Sequence, residues 1–225
     1  MYQTLKFPFG VNPYIVLSHY SGTAAWLNSN DRDKASILAL GVNKEITLTS
    51  TAKAFDKLKQ FYDQHKEWLF GYLSYDLKNS IESLKSENQD LHCFPVMHFF
   101  QPKVIIESSE NFTNLLLSED EDIKKWEKLI YKSRGKYEPS FIEKSNASIK
   151  SINKKKYLKN FDELLGHIQR GDIYEVNYCI EFGANEIEID PLMLYQSLNR
   201  VTEAPFSVFY RSKGKYLLSG SPERY

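Results

Sequence analysis

Residues 96–118 read VMHFFQPKVIIESSENFTNLLLS. Three apolar runs, 96–100, 103–108 and 111–118, follow one another with only short polar breaks between them. Runs of this length suit strands rather than helices, so the stretch predicts consecutive antiparallel strands. The same signal recurs upstream in PYIVLS (13–18), ASILALG (35–41), EITLTS (45–50) and LFGYLSYD (69–76), the last read as a buried strand containing Gly71. Downstream it recurs in IYEVNYCIEF (173–182), strand-like by content, and in FSVFYR and KYLLSG, which flank a hairpin signal at Ser212-Lys213-Gly214.

Helical spacing appears between these runs. Phe55, Leu58 and Tyr62 repeat at that spacing, with Ser50 or Thr51 as the candidate N-cap. Ser118 and Glu121 form a capping-box pattern ahead of Ile123, Trp126 and Ile130. Tyr157, Phe161, Leu164, Leu165 and Ile168 define an amphipathic helix stopped by Gly171. Asp190-Pro191 opens a helix through Leu194 and Leu198. Strands and helices come mixed, with many hairpin-length connections. The predicted class is therefore α+β, with mainly antiparallel sheets and flanking helices. Residues 134–152 lose periodicity and read as a linker, which divides the chain into an N-terminal α+β region, 1–133, and a second region, 153–225.

Composition narrows the function classes. Lys plus Arg and Asp plus Glu both total 29, so the net charge is zero, which argues against a nucleic-acid binder. The sequence shows neither an apolar leader at MYQTLKFPFG nor an apolar run of membrane-spanning length, so a cytoplasmic protein without a membrane partner is expected. Cys93 and Cys179 then read as free thiols. The sequence carries no GxxxxGK[ST], GxGxxG, HExxH, CxxC or GxSxG. His92, Cys93 and His98 are the nearest approach to a metal cluster, but on a strand His92 and His98 lie about 20 Å apart. Asp120, Glu121 and Asp122 suit a solvated helix start. No metal ligand is assigned.

Three stretches remain unexplained by packing alone: FGYLSYDLKNSIE (70–82), GDIYEVNYCIEF (171–182) and LNRVTEAPFSVFY…LLSGSPERY (198–225). They resemble motifs of the chorismate-utilising enzymes. Gly71-Tyr72, Tyr75-Asp76, Gly171-Asp172, Tyr174, Val176-Asn177 and Ser221-Pro222-Glu223-Arg224 match in order. The Ala204-Pro205-Phe206-Ser207 run is similar to that of the aminodeoxychorismate synthase component I branch, whereas the anthranilate synthase component I branch carries Asn-Pro-Ser-Pro-Tyr there. Glu175, Tyr178 and Glu181 depart from the usual Gln, Leu and Arg.

The resemblance implies the N-terminal half of an anthranilate synthase component I-like fold, with 153–225 the start of its catalytic region. It implies amination of chorismate to 4-amino-4-deoxychorismate, with Mg²⁺ held by later segments and ammonia from a glutamine amidotransferase subunit. The alternatives are anthranilate synthesis, or a tryptophan-binding or subunit-docking module without catalysis. The terminal run KYLLSGSPERY fits that reading as a hairpin whose neighbouring strand would follow, and the 225 residues alone are expected to be inactive. Glu223 matches the active-site glutamate, suited to proton exchange near the ring. Pro205, Phe206 and Ser207 match a tryptophan pocket, with Ser18 (or Ser21) as a polar contact and Tyr174 and Asn177 at its border. Tyr75, Asp76, Tyr174 and Asn177 are otherwise expected to be buried polar groups that tie strands together.

Overall fold

The computed structural model describes residues 2–31, 34–82, 84–85, 90–138, 148–185 and 187–224. They form two compact units: Met1–Ser140 with Pro191–Tyr225, and Phe141–Asp190. This differs from the partition at 133 and 152, because residues 191–225 join the N-terminal unit. Part of the expected linker, 139–147, lies outside the described residues.

The larger unit carries two antiparallel sheets. Strands β1 (Tyr2–Phe7), β2 (Ala24–Asn28), β3 (Ser36–Leu40), β7 (Val104–Ser108), β8 (Thr113–Ser118), β9 (Phe206–Ser212) and β10 (Lys215–Ser221) make a seven-stranded sheet in the order β1-β8-β7-β3-β2-β9-β10. Strands β4 (Lys44–Leu48), β5 (Phe70–Leu73) and β6 (Met97–Gln101) make a second sheet in the order β4-β6-β5. The opening stretch therefore splits. Its last two runs form the β7–β8 hairpin, whereas β6 pairs with β4 and β5. Pro102, which has no N–H for a ladder, lies between the two.

Side-chain alternation explains the layers. From the seven-stranded sheet, Trp26, Leu38, Leu40, Val104, Ile106 and Phe209 pack in one cluster. It includes Val16 and Leu17 of helix α1 (Pro13–Ser18), Trp126 and Ile130 of α3 (Ile123–Lys132), and Leu192 and Tyr195 of α5 (Pro191–Thr202). The intervening residues Ala25, Ala39, Ile105 and Tyr210 pack instead with Phe70 and Phe100 of the small sheet. Met97, on the other side of β6, packs with Ala54 at the start of α2 (Ala54–His65) and with Leu77 of the 3-10 turn Tyr75–Ser80. The order is helices, large sheet, small sheet, then α2. Each fully buried Leu, Ile or Phe contributes about 1.5–3 kcal/mol.

Several sequence expectations change here. PYIVLS is α1 rather than a strand, because the Asn12 side chain accepts from the Tyr14 N–H and Pro13 sits at the first helical turn. Its short apolar run is then buried on one helix instead of across a sheet. Helix α2 is capped by neither Ser50 nor Thr51; its N-cap is Lys53, in the left-handed region at φ 54°. Phe55 and Tyr62 remain exposed. Helix α3 is capped by Asp122, whose carboxylate accepts from the Lys125 N–H at 3.2 Å, while Ser118 donates to Asp120 at 2.5 Å. The SKG signal holds: Lys213 (φ 49°) and Gly214 (φ 77°) turn β9 into β10.

The smaller unit contains α4 (Lys154–Arg170), the expected amphipathic helix, ended by Gly171 at φ 81°. None of its side chains is buried. Asp172 closes the end, taking hydrogen bonds from Arg170 at 2.9 Å and from His167 at 2.8 Å. Residues 173–182 form no strand. Among the described residues of this unit, Lys150 and Gly183 form an isolated backbone bridge beside them, and strand-like composition without a neighbouring ladder leaves 173–182 without sheet structure.

Candidate functional site

The Ala204–Ser207 run enters β9, and the ladder sets Ser207 opposite Asn28 and Val208 opposite Leu27 on β2. Beside this junction lies a cavity of about 300 Å³. Leu27, Ile37, Phe206 and Val208 supply its apolar walls, with Ser29 and Lys34 as polar groups. Pro205 and Ser207 complete that edge. The volume falls at the lower end of the range for small-molecule sites, and apolar walls with few polar groups are their usual character. The Lys34 ammonium lies 3.1 Å from the Asp31 carboxylate, so both charge signs stand near the mouth.

An amide cluster braces the junction. Asn30, in the left-handed region at φ 50°, places its Nδ2, with two N–H donors, 2.6 Å from Ala204 O, 3.1 Å from Ser207 Oγ and 2.8 Å from Asn199 Oδ1. Asn28 Oδ1 accepts from the Asn30 N–H at 3.1 Å and from Ser36 Oγ at 3.2 Å. Ser207 is fully buried, and its hydroxyl donates to Ala204 O at 3.0 Å. Buried polar groups of this kind fix geometry because leaving one unpaired is costly.

The structure thus brings together Pro205, Phe206 and Ser207. Ser18 is not among the residues lining this cavity. It is exposed at the end of α1, with its hydroxyl donating to Ile15 O at 2.9 Å. Ser29 is a serine that does line it, together with Phe206. Tyr174 and Asn177 belong to the smaller unit. Tyr174 is 95% exposed and Asn177 is exposed, which corrects the expectation that they are buried. Tyr75 is 83% exposed, with the Lys78 ammonium 4.6 Å from its ring centroid, and is corrected likewise. Asp76 is only half-buried and starts the 3-10 turn capped by Ser74. Within the 171–182 motif Tyr178 is stacked 5.2 Å from Tyr157 and accepts from Asn160 at 2.7 Å.

Glu223 follows β10 in an exposed turn held by Ser221, whose hydroxyl accepts from the Glu223 N–H at 3.3 Å. Among the described residues Glu223 makes no ion pair with Arg224, so its carboxylate is available to solvent. No group of three acidic, His or Cys side chains able to hold a metal ion occurs among the described residues. No described helix is long and apolar enough to cross a membrane.

A second polar network was not evident from the sequence. His98 of β6, 2% exposed, bridges Glu45 of β4 and Tyr210 of β9. Glu45 lies 2.9 Å from Nε2, and Lys213 donates to its other oxygen at 2.6 Å. Burial, with Tyr72 beside it, holds the Tyr210 phenol far above its ordinary range. The carboxylate can only accept, so the arrangement suits a ring that donates Nε2–H to Glu45 and takes the Tyr210 hydroxyl at Nδ1.

Comparison with known proteins fits this architecture. Residues 17–225 match the family described as chorismate binding enzyme. An anthranilate synthase component I-like protein of Synechocystis sp. is 27% identical over 163 residues, 71% of this chain and 33% of that protein. Aminodeoxychorismate synthase component 1 of Salmonella typhimurium is 38% identical over 69 residues, 31% of this chain and 15% of that protein. In fold, the menaquinone-specific isochorismate synthase MenF of Escherichia coli aligns with a TM-score of 0.53 at 12% identity, covering all of this chain and 51% of that one. The chain spans about a third of the length of the first of these relatives.

Proposed function

The chain belongs to the chorismate-binding enzyme family, and from that premise we propose that these residues serve an aminodeoxychorismate synthase component I, which converts chorismate and ammonia to 4-amino-4-deoxychorismate. The observation that carries the reading is the Ala204-Pro205-Phe206-Ser207 entry into β9, braced by Asn30 and bordering an apolar cavity. The 38% identical stretch shared with an aminodeoxychorismate synthase supports it. In this reading ammonia would come from a glutamine amidotransferase subunit, and Mg²⁺ would be held by segments other than those described here, where it would supply positive charge to the anionic substrate. Glu223, exposed at the end of β10, is the group of this chain that exchanges a proton at the chorismate ring as the hydroxyl leaves.

Anthranilate synthesis is the second reading, favoured by the longer matches to that branch, which cover 71% and 74% of the chain. Incubating the longest translated product containing these residues with chorismate, ammonia and Mg²⁺ separates the two. Formation of 4-amino-4-deoxychorismate supports the first reading, and release of anthranilate and pyruvate overturns it.

For the cavity beside Pro205–Ser207 we infer an indole-sized amino acid as ligand. The ring would meet Leu27, Ile37, Phe206 and Val208, and the charged end would meet Ser29 and Lys34. Tryptophan is the expected occupant, acting as a regulatory or structural ligand rather than a substrate.

A further inference from the structure

A separate cavity of about 160 Å³ lies between the small sheet and the β9–β10 hairpin and shares no lining residue with the one beside Phe206. Its walls are aromatic. The Tyr72 ring meets Phe94 edge-on with centroids 5.7 Å apart and Tyr210 edge-on at 5.5 Å. All three line the space, with Pro95 and His98. A cavity of about 150 Å³ admits a single benzene ring; an indole needs more room, so the two cavities select different ligands.

The charged residues of the described lining are of one sign. Lys213 and Lys215 border the cavity with Ser212, and among the described residues no carboxylate lines it. Glu45, which pairs with Lys213, lies outside the lining and turns its other oxygen to His98. Asp90 accepts from the N–H groups of His92 and Cys93 at 2.9 and 3.0 Å and also feels the charge of Lys215, outside the lining. Lys215 spends one of its three N–H donors on His92 O at 2.7 Å, with its ammonium 5.1 Å from the Phe94 ring centroid. Cations at the edge of an aromatic chamber favour an anionic group joined to a ring.

We propose that this cavity binds a monocyclic aromatic carboxylate, with its ring against Tyr72, Phe94 and Tyr210 and its carboxylate on Lys215 and Lys213. The inference does not rest on the reaction proposed above. The ligand bridges β5, the loop before β6 and the β9–β10 hairpin, so occupancy ties the small sheet to the strand that leads to Glu223.

Titration of the 225-residue chain with benzoate, followed by calorimetry or saturation-transfer NMR, tests this. One saturable site is expected. Lys215→Met with Lys213→Met should weaken it roughly 10–100-fold, the size of a lost charge-assisted hydrogen bond. Benzyl alcohol, a neutral ring of similar size, should bind at least about tenfold more weakly than benzoate. Ser29→Ala should leave benzoate affinity unchanged. Lys213→Met removes the partner of Glu45, so a single cooperative thermal transition, even at a lower midpoint, shows that the double variant is folded. Ser212→Leu, which fills the chamber, gives an independent block. Absence of saturable benzoate binding, equal binding of benzyl alcohol, or indifference to the lysine variants overturns the proposal.

Discussion

His98 on β6 and Tyr210 on β9 share a hydrogen bond across the two sheets of the larger unit, and both side chains are buried. The pair is the polar centre of an otherwise apolar layer containing Phe70, Phe100 and Ile105. Tyr210→Phe keeps the ring and removes the donor, leaving Nδ1 of His98 buried without its partner. Such an orphaned group costs about 1–3 kcal/mol. Urea unfolding should show that loss at neutral pH, and a midpoint equal to wild type would mean water replaces the hydroxyl.

Glu45 gives the same layer a pH dependence. The Lys213 ammonium, followed by His98, holds its carboxyl below the ordinary range despite partial desolvation. A depressed carboxyl stabilises the fold above its unfolded-state pKa, and that contribution is lost as pH falls through the lower folded-state value. Stability should therefore decline on acidification below about pH 4.5, with Glu45 contributing to the slope. Glu45→Gln should flatten that limb while costing stability at pH 7. An unchanged acid limb in the variant, read from denaturation midpoints between pH 2 and 7, would assign the effect to other carboxyls.

At the turn leading into α3, Lys103 and Ser118 together hold the Asp120 carboxyl down to about 2. Lys103 lies 2.6 Å from it. NMR titration of Lys103→Met should show the Asp120 pKa returning toward about 3.9. Because Asp120 is exposed, the global unfolding midpoint should change little.

Tryptophan calorimetry separates the Phe206 cavity from the motif after β10. Phe206→Ala removes an apolar wall and Ser29→Ala a polar contact, and each should weaken tryptophan binding about tenfold or more. Glu223→Gln should leave it unchanged. Equal affinity in wild type and Phe206→Ala would place any tryptophan site elsewhere.

Glu223→Gln in the catalytically competent protein should lower kcat for chorismate amination with ammonia roughly 10²–10⁴-fold, the usual size of a general acid or base contribution. The chorismate KM should move little if the interaction acts in the transition state. Stability should be unaffected, since Glu223 is exposed and makes no ion pair among the described residues. A kcat near wild type would reduce it to a turn residue.

The larger elements were legible in the sequence because local pattern and global burial agreed. At β8, TNLLLS alternates buried and half-buried along its length. Helix α4 stops at Gly171, as its spacing implied. The failures arose where one short segment satisfied two patterns. In PYIVLS, three consecutive apolar residues read as a strand, yet Asn12 and Pro13 are a helix start. In 173–182, β-branched and aromatic content lacked any strand to pair with, and pairing rather than composition makes a sheet. The candidate site was half legible. Pro205, Phe206 and Ser207 stood in a recognisable run, but Ser29 is distant in sequence and becomes their neighbour only through the β2–β9 ladder. Its local signal was Asn28-Ser29-Asn30 at the end of an apolar strand, a polar stop whose two amide side chains both find partners. The His98–Glu45–Tyr210 network had no sequence signal, since its three members come from three strands and two sheets.

That same ladder has a cost during synthesis. Trp26 on β2 faces Phe209 on β9, about 180 residues later. At translation rates of about 5–20 residues per second, the nascent chain waits roughly 9–36 s with one edge of β2 unpaired. Ala24, Ala25 and Trp26 make that edge apolar, the kind of template that other chains add to. Emergence of β9 from the ribosome is thus the step that seals the sheet, and a chaperone or slow translation through residues 141–190 would act on the interval before it.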